Sequence, residues 1–175
     1  MSVSLWIRGL ILLLLLNTVA GCGYHLTNAQ PSGRLASVQN IWVPFFSNES
    51  ISPTAQTVLR RAFYEEFHAL RGLNPAGSAE GADLAMKARI VSYSSTAVSY
   101  NALDQAREFS LSLNVELEIT KKGQTLPLWK GQIQGAKQYP GNTNLALQRN
   151  AEEQALDAAA RIIAHKFISA LEESY

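Results

Sequence analysis

The reactive side chains of this sequence are few, and their spacing limits what they could do. The one cysteine, Cys22, follows Val19-Ala20-Gly21. A single thiol cannot close an internal disulfide, so its chemistry is an intermolecular bond, a free thiol or a covalent modification. Hydrolysis or metal binding would need partners brought to one place, and the sequence supplies no nucleophile elbow, metal spacing or phosphate loop. Glu65 and Glu66 are neighbours in a predicted helix and point different ways, which disqualifies them as an acid and base pair. His25 stands alone, and His68, Asp83 and Ser92 form a hydrolytic set only by assumption. What remains is electrostatic and amphiphilic chemistry. Lys87, Arg89, Tyr93, Arg107, Lys130 and Lys137 combine cationic heads with alkyl or aromatic area, a set able to neutralise phosphate while touching lipid. The same charges also serve plain solubility.

Ahead of Cys22, Arg8 forms a short basic region, Leu10 to Leu16 an unbroken apolar run and Ala20-Gly21 a small-residue site, the layout of a secretory signal. The run is far shorter than the roughly 20 apolar residues that cross a bilayer. Residues 1–21 are therefore expected to be removed and the mature chain to begin at Cys22. Val19-Ala20-Gly21-Cys22 resembles the lipobox of bacterial lipoproteins. That resemblance implies a diacylglyceryl group on the sulfur of Cys22 and acylation of the new amino terminus. Two or more acyl chains anchor stably where one binds only marginally, at about 0.8 kcal/mol per buried CH₂. It also implies, through Gly23 in place of an aspartate, sorting to the outer membrane.

Without the signal, the chain has the length of one modest domain. Removing Arg8 from 15 basic residues leaves them balanced against 14 acidic ones, which does not describe a general nucleic-acid binder. With 47% hydrophobic and 17% charged residues, the chain tolerates a large buried interface.

The elements that must position the cationic set are set by periodicity. Residues 22–39 read as an acylated tether, and residues 40–175 as the folded domain. Asn40 to Phe46 alternates as a strand, with Pro44 confining it to an edge or ending it. Ser52-Pro53 is a helix start with Ser52 as N-cap, and Ala55, Val58, Leu59, Ala62, Phe63, Phe67 and Leu70 form a helical stripe that stops at Gly72. Asn74 to Gly81 is a loop. A long strand then begins at Asp83, placing Leu84, Met86, Ala88 and Ile90 on one face and Lys87, Arg89, Val91 and Tyr93 on the other, and continues to Tyr100. After a turn over Asn101 to Gln105, Glu108 to Thr120 alternates most cleanly, with Phe109, Leu111, Leu113, Val115, Leu117 and Ile119 inward. A hairpin turn at Lys121 to Gln124 leads into a returning strand from Leu126 to Tyr139, where Gly131 and Gly135 mark a bulge or a close backbone approach. The last helix, about Asn144 to Glu173, carries its apolar stripe from Leu145 to Leu171 and is about 40 Å long. This order predicts an α+β fold, a single-domain roll with a four-stranded, mostly antiparallel or mixed sheet and two helices packed on one face. The uncovered sheet face is the expected interaction surface.

Four stretches together resemble one family. They are Val19 to Leu26, the strand and loop Ile41-Trp42-Val43-Pro44-Phe45-Phe46-Ser47-Asn48-Glu49-Ser50, the Gly81-Ala82-Asp83-Leu84 start of the long strand, and the alanine-rich last helix. Their order and spacing are similar to those of the LptE family of lipopolysaccharide-assembly lipoproteins. The resemblance implies a non-catalytic plug in the lumen of the outer-membrane barrel LptD, anchored on the periplasmic side. Such a plug supports barrel assembly and binds lipopolysaccharide during export. No cofactor is implied beyond the acyl groups on Cys22. By order along the chain, the family's lipopolysaccharide contacts correspond to Arg107 and Lys130. The residues alone leave a second class open, a lipid-anchored structural subunit of a different envelope secretion or efflux complex.

Overall fold

The structure, a computed structural model, describes residues 35 and 37–173. The predicted signal, Cys22 and His25 lie outside the described residues. Three long strands form an antiparallel meander: β4 (Leu84–Tyr100), β5 (Ala106–Lys121) and β6 (Trp129–Pro140). Three short ones complete the sheet. β1 (Asn40–Trp42) and β2 (Ser47–Asn48) both pair parallel with β4, and β3 (Asn74–Pro75) pairs parallel with β1. The sheet therefore has six strands where periodicity predicted four, in the order β3-β1-β4-β5-β6 with β2 also on β4. Pro44 accounts for one addition, because it divides the Asn40 to Phe46 segment and the pairing resumes only at Ser47. β3 accounts for the other, two residues inside the predicted loop.

Helices α1 (Ala55–Arg71) and α2 (Leu145–Glu173) share one hydrophobic core with the sheet. Leu111, Leu113, Val115, Leu117 and Ile119 of β5 are all buried, as their alternation requires. Phe167 of α2 is the hub of the aromatic core, edge-on to Phe63, Phe67 and Trp129 with ring centroids 5.7, 6.2 and 5.0 Å away. Such pairs add about 0.5–1.5 kcal/mol each beyond area burial. Gly135 lets α2 approach β6, since a Cβ there would run into the carbonyl oxygen of Ala159. α1 ends at Gly72, whose φ of 65° closes a left-handed cap with its N–H on the carbonyl of His68. Its start differs from expectation. The helix begins at Ala55 after Thr54, because the Asn48 amide already holds the carbonyl of Ser52 at 2.7 Å and keeps Ser52 in the loop.

The short motifs turn out to be clamps. Asp83 accepts from the backbone N–H of Gln39 and Asn40 at 2.9 and 3.2 Å, and the Asn40 side chain accepts from Asp83 N–H at 2.7 Å. This reciprocal bond pins β1 to the start of β4. Arg60 donates to the carbonyl of Val43 and lies over the Phe45 ring, while the Tyr64 hydroxyl bridges the N–H and carbonyl of Val43. Together they hold the Pro44 interruption against α1.

Candidate functional site

The face of the sheet turned away from the helices is ordered in cross-strand rows. Lys87, Glu118 and Lys130 make one row and Arg89, Glu116 and Gln132 the next. Glu118 sits between two lysines, 3.1 Å from Lys130 and 3.5 Å from Lys87. The hydrogen bond from Lys130 holds its carboxyl below the usual carboxylate range. Arg89 pairs with Glu116 at 2.8 Å and Glu49 at 2.9 Å, and both carboxylates keep its guanidinium protonated. A depression of about 430 Å³ lies among these rows, lined also by Ala88, Leu117 and Gly131. Every predicted cation here is thus matched by a carboxylate. Beyond Arg89 the rows lose their charges: Ser92, Asn114 and Gln134, then Ser94, Ser112 and Ala136, then Thr96, Ser110 and Gln138.

Two members of the predicted set lie on the other side of the sheet. Tyr93 lies on the helix side, because the ladder slips one residue between Ile90 and Ser92 and so reverses which side chains of β4 face the core. Its hydroxyl donates to the Glu152 carboxylate of α2. Burial first, and that bond second, push its pKa above the ordinary tyrosine value. Lys137 is also on the helix side, opposite the buried Leu111, in step with Ile133, Gly135 and Tyr139. It stays exposed on β6, the sheet's edge, where α2 has crossed toward Tyr93.

Arg107 occupies a different place. Glu108 and Ala106 pair with successive residues of β4, leaving Arg107 as the extra residue of a bulge. Its carbonyl accepts from Gly141 N–H at 2.7 Å, which ties the β4–β5 hairpin to the turn leading into α2. Asn101, Gln105, Arg107, Phe109, Asn142 and Gln148 line a groove of about 670 Å³ there. Among the described residues, Arg107 has no ion-pair partner. Lys130 faces Glu118, roughly 35 Å along β5 from Arg107 at about 3.3 Å per residue, so the structure does not bring these two residues together. Lys137, opposite Leu111, is about 13 Å along the strand from Arg107.

Sequence reasoning missed the apolar flank of this groove. Leu103 is 77% and Tyr100 60% exposed on the hairpin, and Leu145 and Leu147 are exposed at the start of α2. Leu145, expected in the buried stripe, precedes the stretch of α2 that reaches the sheet. The turn itself holds Leu103 outward: the Asn101 side chain accepts from the N–H of Leu103 and Gln105, and Asp104 adopts a φ of 55°. A leucine inside a polar turn was the available signal. Asn144 similarly caps α2 by accepting from Ala146 and Leu147 N–H. Among the described residues, no group of acidic, histidine or cysteine side chains could hold a metal, and no helix is long and apolar enough to cross a membrane.

Comparison with known proteins accords with this fold. No curated protein matches the sequence. Among solved structures, rare lipoprotein B from Shewanella oneidensis is similar, at 15% identity and TM-score 0.52 over 77% of this chain and 96% of that one. A Xanthomonas campestris protein is similar at 14% identity and TM-score 0.55, covering 82% of this chain and 91% of that one. A Chlamydia trachomatis protein is similar at 10% identity and TM-score 0.53, covering 78% and 96%. At such identities these structures speak for the fold alone. The model of the lipopolysaccharide-assembly family LptE matches residues 38–171, from just before β1 to the last turn of α2. By that match over most of its length, the chain belongs to the LptE family of lipopolysaccharide-assembly lipoproteins.

Proposed function

We propose that this chain is a non-catalytic, acyl-anchored subunit of an outer-membrane lipopolysaccharide translocon. In this reading Cys22 carries the anchor, the domain sits in the lumen of the barrel LptD from the periplasmic side, and lipopolysaccharide meets it at the β4–β5 hairpin tip. The observation that carries the ligand reading is the tip itself: a cation without an ion-pair partner among the described residues, Arg107, in a groove flanked by exposed Tyr100, Leu103, Leu145 and Leu147. A phosphorylated glycolipid presents the complementary pair, phosphate oxygens for a guanidinium and acyl chain for exposed apolar area. Lys130 contributes less, because it must first exchange the Glu118 carboxylate for a phosphate. Lys137 is the nearer second cation along the strand.

The test is charge reversal. Arg107→Glu and Lys130→Glu are compared for lipopolysaccharide binding and for capture of the barrel. Both reversals are expected to weaken lipopolysaccharide binding more than barrel capture, and Arg107→Glu more than Lys130→Glu, with the loss shrinking as salt is raised. Equal losses in both assays would mean a folding defect or a wrongly chosen surface.

A further inference from the structure

The three uncharged rows of the open face have no part in the tip site. We propose that they bind the saccharide portion of lipopolysaccharide, as a neutral, polyhydroxylated chain; the assignment rests on the lipopolysaccharide reading above. A face selected for solubility alone would interleave both signs of charge, as the same strands do at Lys87, Glu118 and Lys130. Here the charges stop after Arg89 and Glu116, and hydroxyls and amides take over for the next three rows. The composition argues against two other occupants. An acyl chain or apolar protein surface would find only Ala136 to cover, and a polyanion would find no cation.

A polyol fits. Each serine or threonine hydroxyl both donates and accepts, and each side-chain amide offers two donors and an acceptor in one plane. The Asn114 amide donates to the Ser92 hydroxyl at 2.9 Å, and the Gln134 amide to the Ser112 hydroxyl at 2.6 Å. These bonds fix the orientation of both amides and leave their carbonyl oxygens for a ligand. The rows repeat every ~6.6 Å along the strands and the strands every ~4.8 Å across, a regular grid of donors and acceptors on a rigid support. With no aromatic ring in the rows to stack on a sugar, each contact is weak and replaceable by the next. Such a surface suits a chain that passes along it; the row of Ser99, Glu108 and Pro140, with one carboxylate, stands between it and the tip.

The full chain in detergent micelles is titrated with neutral, lipid-free oligosaccharide released from lipopolysaccharide, and side-chain amide resonances are tracked by NMR. The expected result is saturable shifts of the Asn114 and Gln134 amides, with those of Asn101 and Gln148 in the tip groove unmoved. Asn114→Ala and Gln134→Ala should each weaken binding about fivefold, the effect of one net hydrogen bond, while unfolding stays cooperative and the melting temperature falls only by the loss of the bond to Ser92 or Ser112. Gln134→Glu, which keeps an acceptor oxygen for the ligand, should weaken it less than Gln134→Ala. Absence of shifts at these amides, shifts confined to the tip, or identical shifts with glycerol at matched hydroxyl concentration would each overturn the proposal. The two readings fail separately. Loss of the saccharide shifts leaves intact lipopolysaccharide binding at Arg107 standing, whereas an Arg107→Glu variant that binds intact lipopolysaccharide normally sinks the tip reading alone.

Discussion

Replacing Gly135 with alanine tests how closely α2 is set into the sheet. The added methyl would meet the Ala159 carbonyl oxygen head-on and lie 2.7 Å from Cγ1 and 3.1 Å from Cδ1 of Ile163. Ordinary carbon contacts are about 3.5–4.0 Å, so α2 must withdraw by roughly 1 Å. Neither neighbour can yield locally. One is helix backbone, and both Ala159 and Ile163 are fully buried. Withdrawal also pulls Phe167 away from Trp129, whose ring centroids are 5.0 Å apart. Overpacking of this kind costs about 1–3 kcal/mol. For a domain of this size, ~2 kcal/mol lowers the melting temperature by about 4–8 °C. Gly77→Ala is the control, because a Cβ there has nothing within 4 Å. Thermal and urea unfolding of both variants should show a clear loss for Gly135→Ala, with an unchanged urea slope, and almost none for Gly77→Ala. Equal melting temperatures for the two would refute the packing argument.

Substitutions at three further positions have defined outcomes. Cys22→Ala should abolish acylation and membrane fractionation while preserving the cooperative fold; an unchanged lipid-modified mass would defeat the anchor assignment. Asp83→Ala removes the acceptor for two backbone N–H groups and should cost about 1–3 kcal/mol, with faster amide exchange at Gln39 and Asn40, while Asp83→Asn, which keeps an acceptor oxygen, should lose less. The raised pKa of Tyr93 means that the folded state holds its proton longer than the unfolded chain does, so its contribution is complete below about pH 10 and fades as pH rises above it. An alkaline stability profile should show this fall in the parent and a shallower one in Tyr93→Phe; identical profiles would mean that Tyr93 does not contribute to it.

Much of the fold was legible because burial imposes a period. β5 reads correctly from Phe109 to Ile119, since one face is core and the other polar along the whole strand. The α1 stop was legible in Gly72, and the Pro44 interruption in the proline itself. What escaped were features without a period. Two-residue strands such as β2 and β3 are too short to alternate. The slip in β4 between Ile90 and Ser92 leaves no mark in residue types, because Ser92, Tyr93 and Ser94 suit either face, and it alone moved Tyr93 to the helix side. The site was half legible for a related reason. Residue type identified the cations, but only pairing revealed that Lys87, Arg89 and Lys130 are matched by carboxylates while Arg107 stands at a bulge beside exposed leucines. Two of the stretches that carried the family resemblance, Ile41 to Ser50 and Gly81 to Leu84, proved to hold the fold together: Asn48 and Asp83 bond to backbone, and Val43 is held in turn by Arg60 of α1.

The central claim is that this domain works as the plug of a lipopolysaccharide translocon. It is tested most directly by extracting the full chain from membranes in mild detergent and identifying what accompanies it. A plug should bring with it one outer-membrane barrel in equal amount, together with lipopolysaccharide that is depleted by Arg107→Glu while the barrel remains. Recovery of a different envelope channel, or of the chain with neither barrel nor lipopolysaccharide, would contradict the claim.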